Sequence, residues 1–387
     1  MIFVAPKLSE EELEVLQDIA AIRKSLKHSM AVPRRWSGLL RRNTLARAIR
    51  GSNSIEGYVA SVEDVIAAVE GEEPSEVERD TWLAVVGYRN AMTFVLQISK
   101  DQSEVFRYSE GYIRSLHYMM TQHDLSKNPG NWRPGAIYVR DEQEKKIVYE
   151  GPDRELVEPL MAEFMEDLNR ESDIPQMVKA AMAHLNLVMI HPFSDGNGRM
   201  ARCLQTLVLG KDGILEPQFC SVEEYLGHFQ QAYYDILAKV GRGSWHPEND
   251  ARPWIRFMLR AHYSQGSLVA WRLKLLGKLW EEIEIELKRR SLPERMGLAL
   301  ADAAVGLRVR NASYRNMAGI KDNLASRDLK VLVDEELITP VGENRGRAYV
   351  ASKRLVAKRD ELYEPFRPVD PFTKRSAATQ PMLPGMV

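Results

Sequence analysis

Cysteine is nearly absent from this sequence. Cys203 and Cys220 are the only two, which excludes a disulfide framework and a cysteine-rich zinc site. That scarcity suits a reducing compartment, so a cytoplasmic location is expected. Net charge is as scarce: 53 Lys and Arg against 54 Asp and Glu leave -1 at pH 7. This is too little for a uniformly basic nucleic-acid coat, although it leaves room for a local basic module. No run approaches the roughly 18 apolar residues of a membrane span. The start, Met1-Ile2-Phe3-Val4-Ala5-Pro6-Lys7, lacks the basic opening and apolar core of a secretory leader. No membrane partner is therefore expected, and internal repeats and low-complexity tracts are missing as well.

What is present is ordinary in bulk. The 387 residues are 44% hydrophobic and 28% charged, enough for two or three domains with a sizeable core. One stretch is not ordinary: His191-Pro192-Phe193-Ser194-Asp195-Gly196-Asn197-Gly198-Arg199-Met200-Ala201-Arg202. Upstream, Ala180, Ala183, Leu187, Val188 and Ile190 recur at helical spacing, and Pro192 biases His191 out of the helical region, so a helix should end near Ile190. Asp195-Gly196 and Asn197-Gly198 are successive turn dipeptides, whose glycines let neighbouring N–H groups point into one concavity that suits an anion. Leu204, Leu207, Val208 and Leu209 then resume an apolar face, which puts Arg199 and Arg202 in the first turn of a new helix, on one side. Cations there oppose the helix dipole unless an anion joins them, and a polyphosphate is the natural candidate. Asp195, beside that cradle, could hold Mg²⁺ on the phosphates. Taken singly, His191 reads as a helix end, Asp195 as a turn former and the arginines as a solvated pair. Gathered within twelve residues, they set a base, a carboxylate, an anion cradle and paired arginines in a workable order.

The stretch resembles the Fic family motif H-P-F-x-[D/E]-G-N-G-R-x-x-R at every defined position. The resemblance implies a protein adenylyltransferase that moves AMP from ATP to a Tyr, Thr or Ser hydroxyl of a target protein or of the chain itself. In that family's pattern His191 is the base and Asp195 holds the metal. Gly196, Asn197 and Gly198 contact phosphate, Arg199 and Arg202 bind the terminal phosphates, and Phe193 anchors the loop. Ser52-Asn53-Ser54-Ile55-Glu56-Gly57 resembles the family's inhibitory motif [S/T]-x-x-x-E-[G/N], in the N-terminal position of the class II arrangement. Glu56 would then stand in for a γ-phosphate at Arg202. Read from the residues alone, the same segment is a helix start, with Asn53 as N-cap and Glu56 reaching back from N3. The resemblance also makes a substrate-positioning flap of Ile137, Tyr138, Val139 and Arg140, and puts Tyr234 beside the nucleotide base. Other Fic phosphotransfers, removal of AMP assisted by Glu56, and a nucleotide-sensing DNA-binding regulator stay open as alternatives.

The coarse pattern predicts a mainly α chain: a Fic helical core with a small β-hairpin flap, plus a C-terminal winged helix-turn-helix. Residues 1–105 read as an N-terminal helical region with the inhibitory motif, 106–265 as the Fic domain and 266–287 as a connecting helix. Residues 288–356 read as the winged helix and 357–387 as an extended tail carrying Pro365, Pro368, Pro371, Pro381 and Pro384. Short β-prone runs at 137–139 and 147–149 give the flap hairpin. His117 and His184 read as packing residues. Between Lys288 and Arg354, fourteen Lys or Arg face eight Asp or Glu, a net of about +6. Arg327 and Lys330 on the second helix and Arg345 and Arg347 on the wing would meet phosphates if DNA binds. A protein partner or a homodimer would use the same module, with Asp322, Asp328 and Asp334 diluting its basic face.

Overall fold

The computed structural model describes residues 1–31, 34–72, 77–100, 106–140, 146–213, 216–343 and 347–373. Pro33, the charged stretch 141–145, Arg345 and residues beyond 373, with Pro381 and Pro384, lie outside the described residues.

The chain is mainly helical. It begins with α1 Glu10–Ala31, α2 Ser37–Ile55, α3 Val62–Glu70, α4 Arg79–Lys100 and α5 Glu110–Thr121. A two-stranded antiparallel hairpin follows, β1 Tyr138–Arg140 and β2 Ile147–Glu150. Then come α6 Val157–Asn169, α7 Gln176–Ile190, α8 Asn197–Gly210, α9 Glu223–His228, α10 Gln230–Gly241 and α11 Arg252–Arg289. Local chemistry sets several of these bounds. Ser61 and Ser109 cap α3 and α5 by accepting from the N–H groups of Asp64 and Tyr112. α7 stops where His191, held at φ 52° ahead of Pro192, turns the chain left-handed. The extended N-terminus is pinned to α7 by a reciprocal pair, Phe3 N–H to Asn186 Oδ1 (2.9 Å) and Asn186 Nδ2 to the Phe3 carbonyl (3.0 Å).

Two placements differ from the sequence reading. The segment 52–57 ends a helix instead of starting one. Tyr58 N–H bonds the Asn53 carbonyl (3.0 Å) and Gly57 N–H bonds the Ser54 carbonyl (3.1 Å), with Gly57 at φ 84°. That is a Schellman stop, which leaves Glu56 as the C-cap of α2 and Asn53 as a residue of its last turn, with no N-cap role. α8 begins at Asn197 with Gly196 as its N-cap, so Arg199 is in the first turn and Arg202 lies one turn further in.

Residues 266–287 are continuous with the preceding helix, because α11 runs unbroken for 38 residues. It carries α12 Gly297–Ala304, α13 Asn311–Ala318, α14 Asp322–Asp334, the antiparallel pair β3 Ile338–Val341 and β4 Ala348–Ala351, and α15 Lys353–Leu362. This C-terminal unit is locked to the N-terminal helices by buried charge. Arg42 of α2 donates to both oxygens of Asp302 in α12 and to Glu70 of α3 (2.9 Å). Desolvation pushes the Asp302 carboxyl up while Arg42 pulls it back.

Candidate active site

The turn between α7 and α8 is held open by its own side chains. Asn197 accepts from Phe193 N–H through Oδ1 (2.9 Å) and donates from Nδ2 to the Phe193 carbonyl (2.8 Å). Its side chain is thereby committed to the loop, and its backbone N–H is what remains for an anion. Phe193 is fully buried, stacked on His117 with ring centroids 3.7 Å apart and tilted against Trp132. His117 is more than packing: Gly130 N–H donates to its Nδ1 (2.9 Å), which leaves Nε2–H for the Asp195 carbonyl (3.0 Å). Burial lowers the His117 pKa to about 4, so the ring stays neutral in this role.

His191 is half-buried at the mouth of this loop. Its Nδ1 lies 3.0 Å from the Val188 carbonyl, which requires the proton on Nδ1 and leaves Nε2 with a lone pair. Desolvation lowers its pKa against the raising pull of that hydrogen bond and of Glu56. Arg133, buried and unremarked by any motif, braces the same residue: Nε donates to the His191 carbonyl (3.0 Å), and the remaining nitrogens to the Gly135 and Pro152 carbonyls. The hairpin sits alongside. Ile137 accepts from Gly151 N–H (3.1 Å), Tyr149 Oη donates to the Met189 carbonyl (2.8 Å), and β1 carries the half-exposed Tyr138 with Val139 and Arg140.

The two arginines are buried, and their environments differ. Arg202 donates from Nε to Ser52 Oγ (2.8 Å) and from Nη2 to both the Ser52 carbonyl (3.0 Å) and Glu56 Oε1 (2.7 Å). Its own side chain is 0% exposed and that of Glu56 24%. Burial works to lower the Arg202 pKa, and the Glu56 carboxylate more than reverses it. Gly198 permits this contact: a Cβ there would stand 2.5 Å from Glu56 Oε1. Arg199 is held less fully. One nitrogen reaches Asp195 Oδ2 (3.3 Å), and the guanidinium lies over the Tyr58 ring, 5.3 Å from its centroid. Among the described residues Arg199 Nε, Arg199 Nη1 and Arg202 Nη1 are buried with no hydrogen-bond acceptor, a condition that a bound polyphosphate would relieve.

Asp195 also pairs with Lys127 (2.8 Å). Desolvation would raise its carboxyl, but Arg199 and Lys127 hold it below the usual range. Among the described residues no cluster of three metal-ligating side chains occurs. A single carboxylate beside phosphate donors suits Mg²⁺, which usually takes one or two carboxylates plus substrate phosphates. Tyr234 is half-exposed and donates to the carbonyl of Ile55 (2.9 Å), the last residue of α2.

Residues 107–209 match the Fic/DOC family profile. This segment is a Fic domain. The chain is 27% identical over 263 residues to the protein adenylyltransferase Fic of Nematostella vectensis, covering 66% of this chain and 55% of that one. It is 28% identical over 272 residues to protein adenylyltransferase fic-1 of Caenorhabditis briggsae, at 68% and 48% coverage. A shorter stretch of 101 residues reaches 40% identity with the Culex quinquefasciatus adenylyltransferase, 26% of this chain and 18% of that one. The chain thus spans about half the length of the curated relatives it matches first. In fold, a Fic family protein from Desulfovibrio desulfuricans G20 aligns with TM-score 0.58 at 22% identity over 91% of this chain and 99% of its own, and a Fic-1 fragment from Caenorhabditis elegans with TM-score 0.53 at 24% identity, covering 68% and 73%. The matched segment therefore contains the loop, His191 and both arginines, while Glu56 and Tyr58 reach it from the end of α2 and the turn after it.

Proposed function

We propose that this chain is a protein adenylyltransferase that transfers AMP from ATP to a protein hydroxyl and is restrained by Glu56. One observation carries the reading: His191, with its Nε2 lone pair free, and two buried arginines that keep three donors without acceptors flank one short loop between α7 and α8. In the reaction His191 Nε2 accepts the proton of the target hydroxyl as that oxygen bonds the α-phosphorus. The bond from the α-phosphorus to its bridging oxygen breaks, and pyrophosphate leaves. First-turn N–H groups of α8 and the guanidinium groups of Arg199 and Arg202 hold the charged oxygens in place. Mg²⁺, when bound at Asp195, would neutralise phosphate charge. β1, with Tyr138, Val139 and Arg140, offers an edge on which an extended target segment can align beside His191.

Autoinhibition is supported by the Glu56–Arg202 contact, which occupies the guanidinium that a terminal phosphate would need. The division into an N-terminal region, a Fic domain, a winged helix at 288–356 and a tail belongs to the same proposal. In the winged helix, Arg327, Lys330 and Arg347 are exposed and available to a nucleic acid or an acidic protein surface. A cytoplasmic location is supported by two buried cysteines that form no disulfide. The test is mass spectrometry of the purified chain after incubation with Mg²⁺ and ATP. An adduct with the mass of AMP on a hydroxyl side chain supports the reading, and none on either this protein or Glu56→Gly refutes it.

A further inference from the structure

The inhibitory segment touches the Fic loop in two places, and Glu56 accounts for only one. Tyr58, two residues on, accepts a hydrogen bond at its hydroxyl from Lys127 Nζ (2.7 Å), and its ring lies under both Lys127 and Arg199. The same Lys127 nitrogen is 2.8 Å from Asp195 Oδ2, the oxygen that Arg199 also approaches. Lys127 ends a single 3-10 turn, Leu125–Lys127, closed by Asn128 at φ 53°, so its stem is fixed close to the loop. One ammonium thus joins the segment that follows α2 to the carboxylate assigned to the metal.

A divalent ion and an ammonium cannot both sit on one carboxylate oxygen without strong repulsion. We propose that Lys127 and Tyr58 form a second latch on the inhibitory segment, with Lys127 as a positioning residue that occupies Asp195 until a metal displaces it. This inference rests on the nucleotide-and-metal reading of the site and deepens it. Metal entry frees the ammonium and the Tyr58 hydroxyl loses its donor, which leaves the segment to the Arg202 contacts of Ser52 and Glu56 and to the Tyr58 ring under Arg199. The metal therefore loosens the brake from the opposite side to the γ-phosphate.

The test measures metal affinity apart from turnover. Free Mn²⁺ would be followed by electron paramagnetic resonance in the presence of the non-transferable analogue α,β-methylene-ATP, with nucleotide affinity measured separately in EDTA. Lys127→Met should bind Mn²⁺ roughly tenfold more tightly, and Tyr58→Phe by a smaller factor of about three, the range expected for one hydrogen bond. Tyr58→Phe keeps the ring under Arg199 and guards against a folding defect in the lysine variant. Hydrogen exchange of the amides of residues 56–58 should quicken in both variants, and in the unmodified chain when Mn²⁺ is added with the analogue. Unchanged or weaker Mn²⁺ binding would overturn the latch. Weaker nucleotide binding in EDTA would make Lys127 a phosphate ligand and overturn it too. If Glu56→Gly binds neither analogue nor Mn²⁺, the nucleotide reading fails and the latch falls with it; if that variant binds both and Lys127→Met behaves like the unmodified chain, only the latch fails.

Discussion

Replacing Glu56 by glycine removes one charge-assisted bond of 2.7 Å from a guanidinium that is itself fully buried. Arg202 keeps its Ser52 contacts from Nε and Nη2, so it stays near its place, and one Nη2 N–H loses its acceptor beside Nη1, which already has none. A hydrogen bond to a charged group contributes about 1.5–3 kcal/mol, which corresponds to roughly 10- to 100-fold at about 1.4 kcal/mol per decade. That is the expected rise in self-AMPylation, since a terminal phosphate no longer competes with a carboxylate and the α-phosphorus can align for in-line attack. The same loss leaves a buried cation less well compensated, so the variant should also melt a few degrees lower. ATP should restore more stability to it than to the unmodified chain. Radiolabel incorporation from α-³²P-ATP, and melting with and without ATP, would be measured on one preparation. A folded Glu56→Gly protein with no gain in rate and no larger stabilisation by ATP would refute the argument.

His191→Ala should abolish transfer while leaving ATP affinity within a few fold, as calorimetry would show, because His191 is assigned to the proton and not to a phosphate. Its lowered pKa predicts a pH–rate profile that stays level as pH falls past 6.5 and drops only when Nε2 is protonated below that; a limb at or above 6.5 would contradict the desolvated base. His117, at about 4, and His184 and His262, at about 3, have folded values depressed by burial. Their contribution to stability is complete above pH 6.5 and lost as pH falls through the folded values, so the melting temperature should decline on acidification, less steeply in His117→Asn. Arg133→Met should cost both rate and stability, because the His191, Gly135 and Pro152 carbonyls lose their donor; unchanged kinetics would show that the loop is self-supporting. A chain ended after Trp280 uncovers Trp280, which packs against Gly297, and deprives Arg42 of Asp302, so it should be markedly less soluble and less stable than the full chain.

Much of this was legible in the sequence because it is local. Apolar periodicity reads out helices such as α7 and α8, Pro192 marks where α7 stops, and the β-prone runs mark the hairpin. The loop from His191 to Arg202 carries its chemistry in consecutive residues. Placing the 52–57 segment needed a different signal. Gly57 follows a helical run and is a stop, and weighing it against the Asn53–Glu56 spacing would have put Glu56 at a C-terminus. Lys127, Tyr58 and Arg133 were out of reach for another reason: each acts on the loop through a contact spanning 58 to 141 positions, such as Arg133 to His191 or Tyr58 to Arg199. None belongs to a periodic pattern, and only tertiary packing brings them together.

The packing of α2 also limits how the restraint proposed for Glu56 could be lifted. A Cβ on Gly51 would stand 2.3 Å from the Glu223 carbonyl oxygen, and one on Gly227 would stand 3.0 Å from Gly51 Cα, so the backbones of α2 and α9 are in direct contact one turn before Glu56. Further back, Arg42 fixes α2 to Glu70 and Asp302 through buried charge. Sliding α2 away from Arg202 would break both anchors and strand charges in a dry interior, which costs about 3–5 kcal/mol for a single buried pair. Rotating the Glu56 side chain disturbs only the Arg202 pair, and fraying the turn closed by Gly57 adds the two Schellman bonds and the Tyr58 contacts with Lys127 and Arg199, with neither buried ion pair of Arg42 broken. Glu56 is also partly exposed, so its freed carboxylate has water to go to. On that proposal release would be a last-turn event, and substitutions that loosen residues 54–58 should activate, whereas substitutions at Gly51 should unfold the junction before they free the arginine.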